Sequence, residues 1–269
     1  MLIDRCASSV LLFCLLFPTA LAPAYVAAQL SPASYKPSPA LPEAPTPVAF
    51  SGAMSVGELP KAILQDQLSI WSSPIHVRPH DLVWLVPLAA ATGAGIATDH
   101  RAMSTVVSHD PGFNRSNVNV SNGLVYSVVA APAALYGFGR WRRDEHARET
   151  GILGAEALGD GVILEQGLKL IFWRERPYQS SARGQFFQGA AGIDSSFPSS
   201  HSVLAWSSAA VLAEEYTSPW TRVGVYSLAT GVSLTRVLGQ QHFPTDVLVG
   251  SAAGWLIGHY VARAHHGRH

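Results

Sequence analysis

Cysteine is nearly absent from this 269-residue chain: Cys6 and Cys14 are its two, and both fall within the first 28 residues. Once that segment is removed, neither disulfides nor a thiolate metal site can hold the remainder, and core packing must stabilise it unaided. An excess of charge of either sign is missing too, because Lys plus Arg and Asp plus Glu number 18 each. Nucleic-acid binding through a global basic field is thereby excluded, and any affinity for anions has to be local. Uninterrupted apolar runs mostly fall short of the ~20 residues that a membrane-spanning helix uses. Segments with the two-residue alternation of a half-buried strand are lacking as well, which excludes a β-rich architecture. What is present is apolar side chain, 48% of the total. That is enough for one sizeable core, with no call for a second domain of similar size.

The first 28 residues place Arg5 before the apolar stretch from Val10 to Phe17 and end in the small residues Ala27 and Ala28. This pattern predicts a signal peptide cleaved before Gln29, and hence export to the periplasm or cell envelope, with membrane association left open. Residues 29–58 are rich in Pro and Ala, with Pro32, Pro37, Pro39, Pro42, Pro45 and Pro47, and read as an extended linker. Residues 59–269 form the expected helical domain. It starts with an amphipathic stretch at 59–71, in which Ile63, Leu64, Leu68 and Trp71 recur at helical spacing. Six helices follow, at 82–98, 123–138, 152–173, 199–213, 222–238 and 244–262. The expected fold class is therefore all-α, a six-helix bundle core behind an extended Pro-rich N-terminal segment. Asn114 and Asn119 match the glycosylation acceptor pattern in what reads as a polar loop, and residues 140–146 read as a charged loop between helices.

Three segments of the C-terminal half carry groups suited to phosphoryl transfer. In the first, Lys169 and Arg176 are seven residues apart, about two helical turns, so a helix presents both on one face until Pro177. Considered alone, two cations near a helix C-terminus usually do no more than complement the macrodipole. The second, Phe197-Pro198-Ser199-Ser200-His201, stands where an apolar helix begins with Ser199 as its cap. First-turn amides there can hold a phosphate, and His201 faces the same anion as a candidate general acid. The third runs from Thr235 and Arg236 through Gly239 to His242, Pro244 and Asp246. Gly239 suits a turn and Pro244 the first position of a helix, which leaves His242 just outside that helix and Asp246 one turn in. Asp246 can then accept a hydrogen bond from one ring nitrogen of His242 and leave the other to attack phosphorus.

In order and spacing, the three segments together resemble the signature of the type-2 phosphatidic acid phosphatase superfamily: Lys-x6-Arg-Pro, Pro-Ser-Gly-His and Ser-Arg-x5-His-x3-Asp. The resemblance spans Lys169 to Asp246 in its motifs. It implies a phosphatase that hydrolyses phosphate monoesters of small molecules or lipids through a phosphohistidine intermediate. Under it His242 is the nucleophile, Asp246 orients it and His201 is the acid, later the base for water. Lys169, Arg176 and Arg236 hold the phosphate oxygens, helped by groups around Ser199 and Ser200. It implies no cofactor and no metal. Ser200 stands where the family usually has Gly and Thr235 where it usually has Ser, which leaves the charged groups intact and puts the substrate range in question.

Vanadium-dependent haloperoxidases resemble the same signature and are the first rival reading. A non-catalytic envelope protein that binds an anion is the second. Glu156, Asp160 and Glu165, which interrupt the helix before Lys169, have no spacing that singles out a metal site. The His-rich tail, with His265, His266 and His269, reads as a solvated end.

Overall fold

The computed structural model describes residues 55–189 and 194–266. The predicted signal peptide and all but the end of the predicted linker lie outside the described residues, as does His269. Among the described residues the chain is helical with no strand, in agreement with the all-α expectation. Seven α-helices follow one another: α1 Leu59–Ser72, α2 Leu82–Arg101, α3 Pro111–Arg142, α4 Glu145–Phe172, α5 Ser200–Glu215, α6 Pro219–Leu238 and α7 Pro244–His266. The amphipathic stretch is α1, and the six expected helices are α2 to α7.

Local chemistry explains where the helices begin and end, and why two of them are longer than their apolar patterns predict. Asp110 caps α3 by accepting from the Phe113 amide at 2.6 Å, and Pro111 takes the first helical position. The stretch holding Asn114 and Asn119 is therefore helix, not the polar loop expected. A cap and an N-terminal proline outweigh the modest intrinsic cost of Asn in a helix. At the other end Arg143 adopts the left-handed conformation with φ 56°, and Asp144 then caps α4 through the Ala147 amide at 3.0 Å. Only Arg143 and Asp144 connect α3 to α4, so most of the charged run at 140–146 is helix as well. The two form an antiparallel hairpin.

α5 sits at the centre and touches α3, α4, α6 and α7. Its inward residues are small, which lets four neighbours approach. Ala205 and Ala209 pack with Val125 of α3 and with Ala229 and Val232 of α6, while Val211 joins Leu153 and Ala157 of α4 and Ile257 and Val261 of α7. The α5–α7 contact is the closest. Gly250, Gly254 and Gly258 recur every four residues along one face of α7, and a Cβ on them would lie 2.8, 2.3 and 2.3 Å from the carbonyl oxygens of Ser199, Val203 and Ser207. The two backbones meet directly along this seam.

α2 and α3 differ from the rest. The segments Leu82–Val106 and Pro111–Arg142 are long and apolar enough to cross a membrane, and little of either is buried within the protein. Val83 is 78% exposed and Tyr126 70%, with Trp84, Val86, Val120 and Val129 also exposed. Counting uninterrupted apolar runs understates these helices because Gly, Thr, Ser and Asn punctuate them without ending them.

Candidate functional site

His242 occupies the turn between α6 and α7. Gly239 closes α6, Gln240 takes a positive φ of 55°, and the amides of Gln241 and His242 both donate to the Arg236 carbonyl, at 3.0 and 3.3 Å. Pro244 then opens α7. This folds the imidazole back into the protein, where it is 1% exposed. Its Nδ1 lies 2.7 Å from the carbonyl oxygen of Ser196. A carbonyl can only accept, so Nδ1 carries the proton and Nε2 keeps its lone pair.

The expected Asp246 contact is corrected by this geometry. Asp246 Oδ2 is 3.8 Å from His242 Nδ1, too far for a hydrogen bond, although close enough for charge to act. The carboxylate instead accepts from the Ser196 hydroxyl at 2.5 Å, the Phe243 amide at 2.8 Å and Arg174 Nη1 at 2.6 Å. The imidazole tautomer is set by the backbone of the loop before α5, and the carboxylate lies behind it. Burial pushes the Asp246 carboxyl upward, opposed chiefly by Arg174.

Arg176 is the second correction. α4 ends at Phe172 because Trp173 takes a left-handed conformation, φ 40°, so Lys169 and Arg176 do not share a helical face. Arg176 reaches the site from the following loop, where its Nε donates to the Asp194 carbonyl at 3.0 Å and its Nη1 to the Gln241 carbonyl at 3.2 Å. Lys169, in the last turn of α4, is buried and donates to the Ser195 carbonyl at 3.1 Å, with Glu165 Oε2 3.7 Å away. Arg236 donates from Nη1 to Asn122 Oδ1 at 3.4 Å, and its buried Nε has no partner among the described residues. An unsatisfied guanidinium N–H inside a protein is costly unless a ligand completes it.

Ser199 caps α5 with a long contact of 3.5 Å to the Ser202 amide, and its hydroxyl accepts from Ser202 Oγ at 3.1 Å. Both expected hydroxyls are thus engaged within the protein, since Ser200 Oγ donates to Glu165 Oε2 at 2.9 Å. What the start of α5 offers an anion is its first-turn amides, which helix geometry leaves unpaired. His201 Nε2 donates to Asn122 Oδ1 at 2.9 Å. Burial, with Arg236, His242, Arg176 and Lys169 nearby, lowers His201 to about 3, so its ring is neutral near pH 7. His242 is pushed well down by burial and by Arg176, Arg236 and Lys169. Burial also lowers Lys169 and brings Arg236 down to about 10.

Lys169, Arg176, His201, Arg236 and His242, singled out from the sequence, thus lie within electrostatic reach of one another at one end of the bundle, with Asp246 beside His242. Four that contribute there were not singled out. Asn122 had no signal, lying in a stretch read as loop. Asp99 stands far from the motifs, on α2. Arg174 was hidden between Lys169 and Arg176, and Ser196 acts through its carbonyl, which no side-chain pattern reports.

Residues 150–269 match the model of the PAP2 superfamily. The lipid A 1-phosphatase of Porphyromonas gingivalis is 29% identical over 189 residues, which make up 68% of this chain and 39% of that protein. The chain thus spans about two fifths of the length of the curated relative it matches. The crystal structure of a transmembrane PAP2-type phosphatidylglycerolphosphate phosphatase from Bacillus subtilis aligns over 78% of this chain and 97% of that one, with 21% identity and a TM-score of 0.47.

Proposed function

We propose that the chain is a member of the PAP2 superfamily, whose model its residues 150–269 match, and that it hydrolyses phosphate monoesters, lipid phosphates foremost, through a phosphohistidine on His242. The observation that carries this reading is His242 itself. Its Nδ1 proton is committed to the Ser196 carbonyl, and its free Nε2 shares the buried end of the bundle with Lys169, Arg176 and Arg236.

The chemistry follows from that arrangement. The three cations and the first-turn amides of α5 neutralise the phosphate dianion and hold it for in-line attack. His242 Nε2 forms a bond to phosphorus as the P–O bond to the alcohol breaks, and the ring becomes cationic. The leaving oxygen takes a proton from His201. Burial first, and then the surrounding cations, hold that group neutral before a substrate binds. A bound dianion reverses the local field and favours the protonated ring. Water then attacks the phosphohistidine, His201 removes its proton, and inorganic phosphate and free His242 are regenerated. Asp246, 3.8 Å from the ring, stabilises the cationic intermediate by charge.

Lipid phosphates are favoured because the exposed apolar faces of α2 and α3 suit contact with acyl chains. Both helices also reach the site, α2 through Asp99 near its C-terminal end and α3 through Asn122. The signal-like residues 1–28 fit a place in the cell envelope.

The test is hydrolysis of an aryl phosphate and of phosphatidic acid by the purified protein, with and without detergent, beside His242→Ala. The expected result is turnover of both esters, a phosphoenzyme trapped in the wild type and loss of at least about 10³-fold in His242→Ala. Wild-type-like turnover by His242→Ala sinks the reading. Silence of the wild type on both esters with halide oxidation in the presence of vanadate replaces it with the haloperoxidase reading.

A further inference from the structure

Arg174 lies between the phosphate-site residues Lys169 and Arg176 in sequence, yet its side chain belongs to the layer behind His242. It is 1% exposed. Its Nη1 donates to Asp246 Oδ1 at 2.6 Å and to Thr245 Oγ1 at 2.8 Å, its Nη2 to Asp99 Oδ2 at 2.7 Å, and its Nε to the Gly184 carbonyl at 3.1 Å. The rings of Phe243 and Phe186 stand 4.2 and 4.7 Å from the guanidinium carbon. Thr245 completes the group: its hydroxyl donates to Asp99 Oδ2 and its amide to Asp99 Oδ1 at 3.3 Å. With both acids ionised, two carboxylates share one guanidinium, which leaves one negative charge in excess.

An ion group of this kind is a poor device for stability alone, because apolar side chains of equal volume usually serve as well or better. Its location suggests another use. Asp246 is the member nearest His242, and its remaining acceptor contacts, from Ser196 and Phe243, orient it toward the imidazole. Asp99 comes from α2, outside the three motifs.

We propose that Arg174, itself held by Asp99 of α2, is the positioning residue that fixes Asp246 behind His242, and that the shared excess negative charge stabilises the cationic ring formed when His242 bonds to phosphorus. This rests on the phosphohistidine reading above. Removing the Asp99 charge leaves Arg174 balanced by Asp246 alone, so the layer behind His242 becomes neutral. The cost then falls on states in which the ring is cationic, and not on simple occupancy of the anion site.

Two inhibitors separate those cases. Vanadate adopts five-coordinate geometry by bonding to a nucleophilic nitrogen, whereas inorganic phosphate occupies the site through the cations and amides only. In Asp99→Asn, which keeps the side-chain shape, we expect kcat to fall about tenfold with KM within twofold, and vanadate inhibition to weaken about tenfold while phosphate inhibition changes less than twofold. Arg174→Gln should show the same split more strongly. Should Arg174→Gln fail to fold, Asp99→Asn carries the test. Equal weakening of both inhibitors, or no change in kcat, overturns the proposal. If His242→Ala remains active, the phosphohistidine reading itself has failed; if it is dead while Asp99→Asn behaves as wild type, only the present inference has.

Discussion

The α5–α7 seam and helix α2 both deliver groups to the same site, yet they are attached to the protein by opposite means. Along the seam, three glycines of α7 let its backbone lie against the carbonyls of α5, so the elements carrying His201 and Asp246 are fixed by direct main-chain contact. α2 presents most of its length outward. It is joined near its C-terminal end, where Asp99 meets Arg174 and Thr245 and where His100 Nδ1 lies 3.0 Å from the Ala182 carbonyl. The seam holds its two helices backbone to backbone, and the outward-facing element is joined near its C-terminal end by polar contacts.

Substitution of equivalent residues in the two regions is the sharpest way to break that contrast. Gly254→Ala places a methyl group 2.3 Å from the Val203 carbonyl oxygen. It should cost about 3 kcal/mol, the upper range for overpacking, and a fall in the thermal midpoint should be accompanied by loss of activity. If Gly254→Ala were neutral, the seam would not be the rigid element described.

Acid is the next probe, since half-buried His201 lies in the first turn of α5 and buried His242 in the turn before α7. The unfolded chain protonates His201 at the ordinary value near 6.5, whereas the folded protein resists down to about 3. Between those values the unfolded state binds more protons, so stability rises with pH and is lost as pH falls below about 6.5. His242, lowered for the same reasons, adds in the same direction. The thermal midpoint should therefore drop between pH 7 and pH 5, and inorganic phosphate should restore part of it by offsetting the cations. A midpoint independent of pH across this range would contradict the lowered affinity of the two rings for protons.

Smaller effects sharpen the comparison. Ser200→Gly brings in the residue usual in the superfamily that the motifs resemble and releases Glu165 from its hydrogen bond at 2.9 Å. It should alter the ratio of lipid to aryl ester turnover by several-fold at most, with little change in stability, as measured by kcat/KM on both esters. Gly93→Ala, on the face of α2 where a Cβ would meet nothing within 4 Å, should stabilise the protein by about 0.5–1 kcal/mol through helix propensity. The two glycine substitutions thus have opposite signs, which a thermal melt reads directly.

These features were legible in the sequence to unequal degrees. The order and type of the helices followed from apolar periodicity, and the turn that carries His242 from Gly239 and Pro244, because each reports on its own few residues. Arg176 was assigned to a helical face on spacing alone, and the left-handed Trp173 that ends α4 has no reliable sequence mark, since non-glycine residues rarely take that conformation. The α3 boundary was misplaced because polar Asn and Ser residues signal loops unless an N-cap such as Asp110 is given more weight. Arg174 and Asp99 could not be paired at all: 75 residues separate them, and only the packed fold brings the two charges together.

The Ser196 carbonyl that fixes the His242 tautomer has a consequence for heredity. A contact made by main chain survives every codon change at its own position short of one that moves the loop. Drift at position 196 can therefore erode the hydroxyl that steadies Asp246 without touching the choice of which ring nitrogen carries the proton. The tautomer of His242 is thereby insulated from point mutation at its hydrogen-bonding neighbour, and is lost only with His242 itself or with whatever displaces the backbone around Ser196.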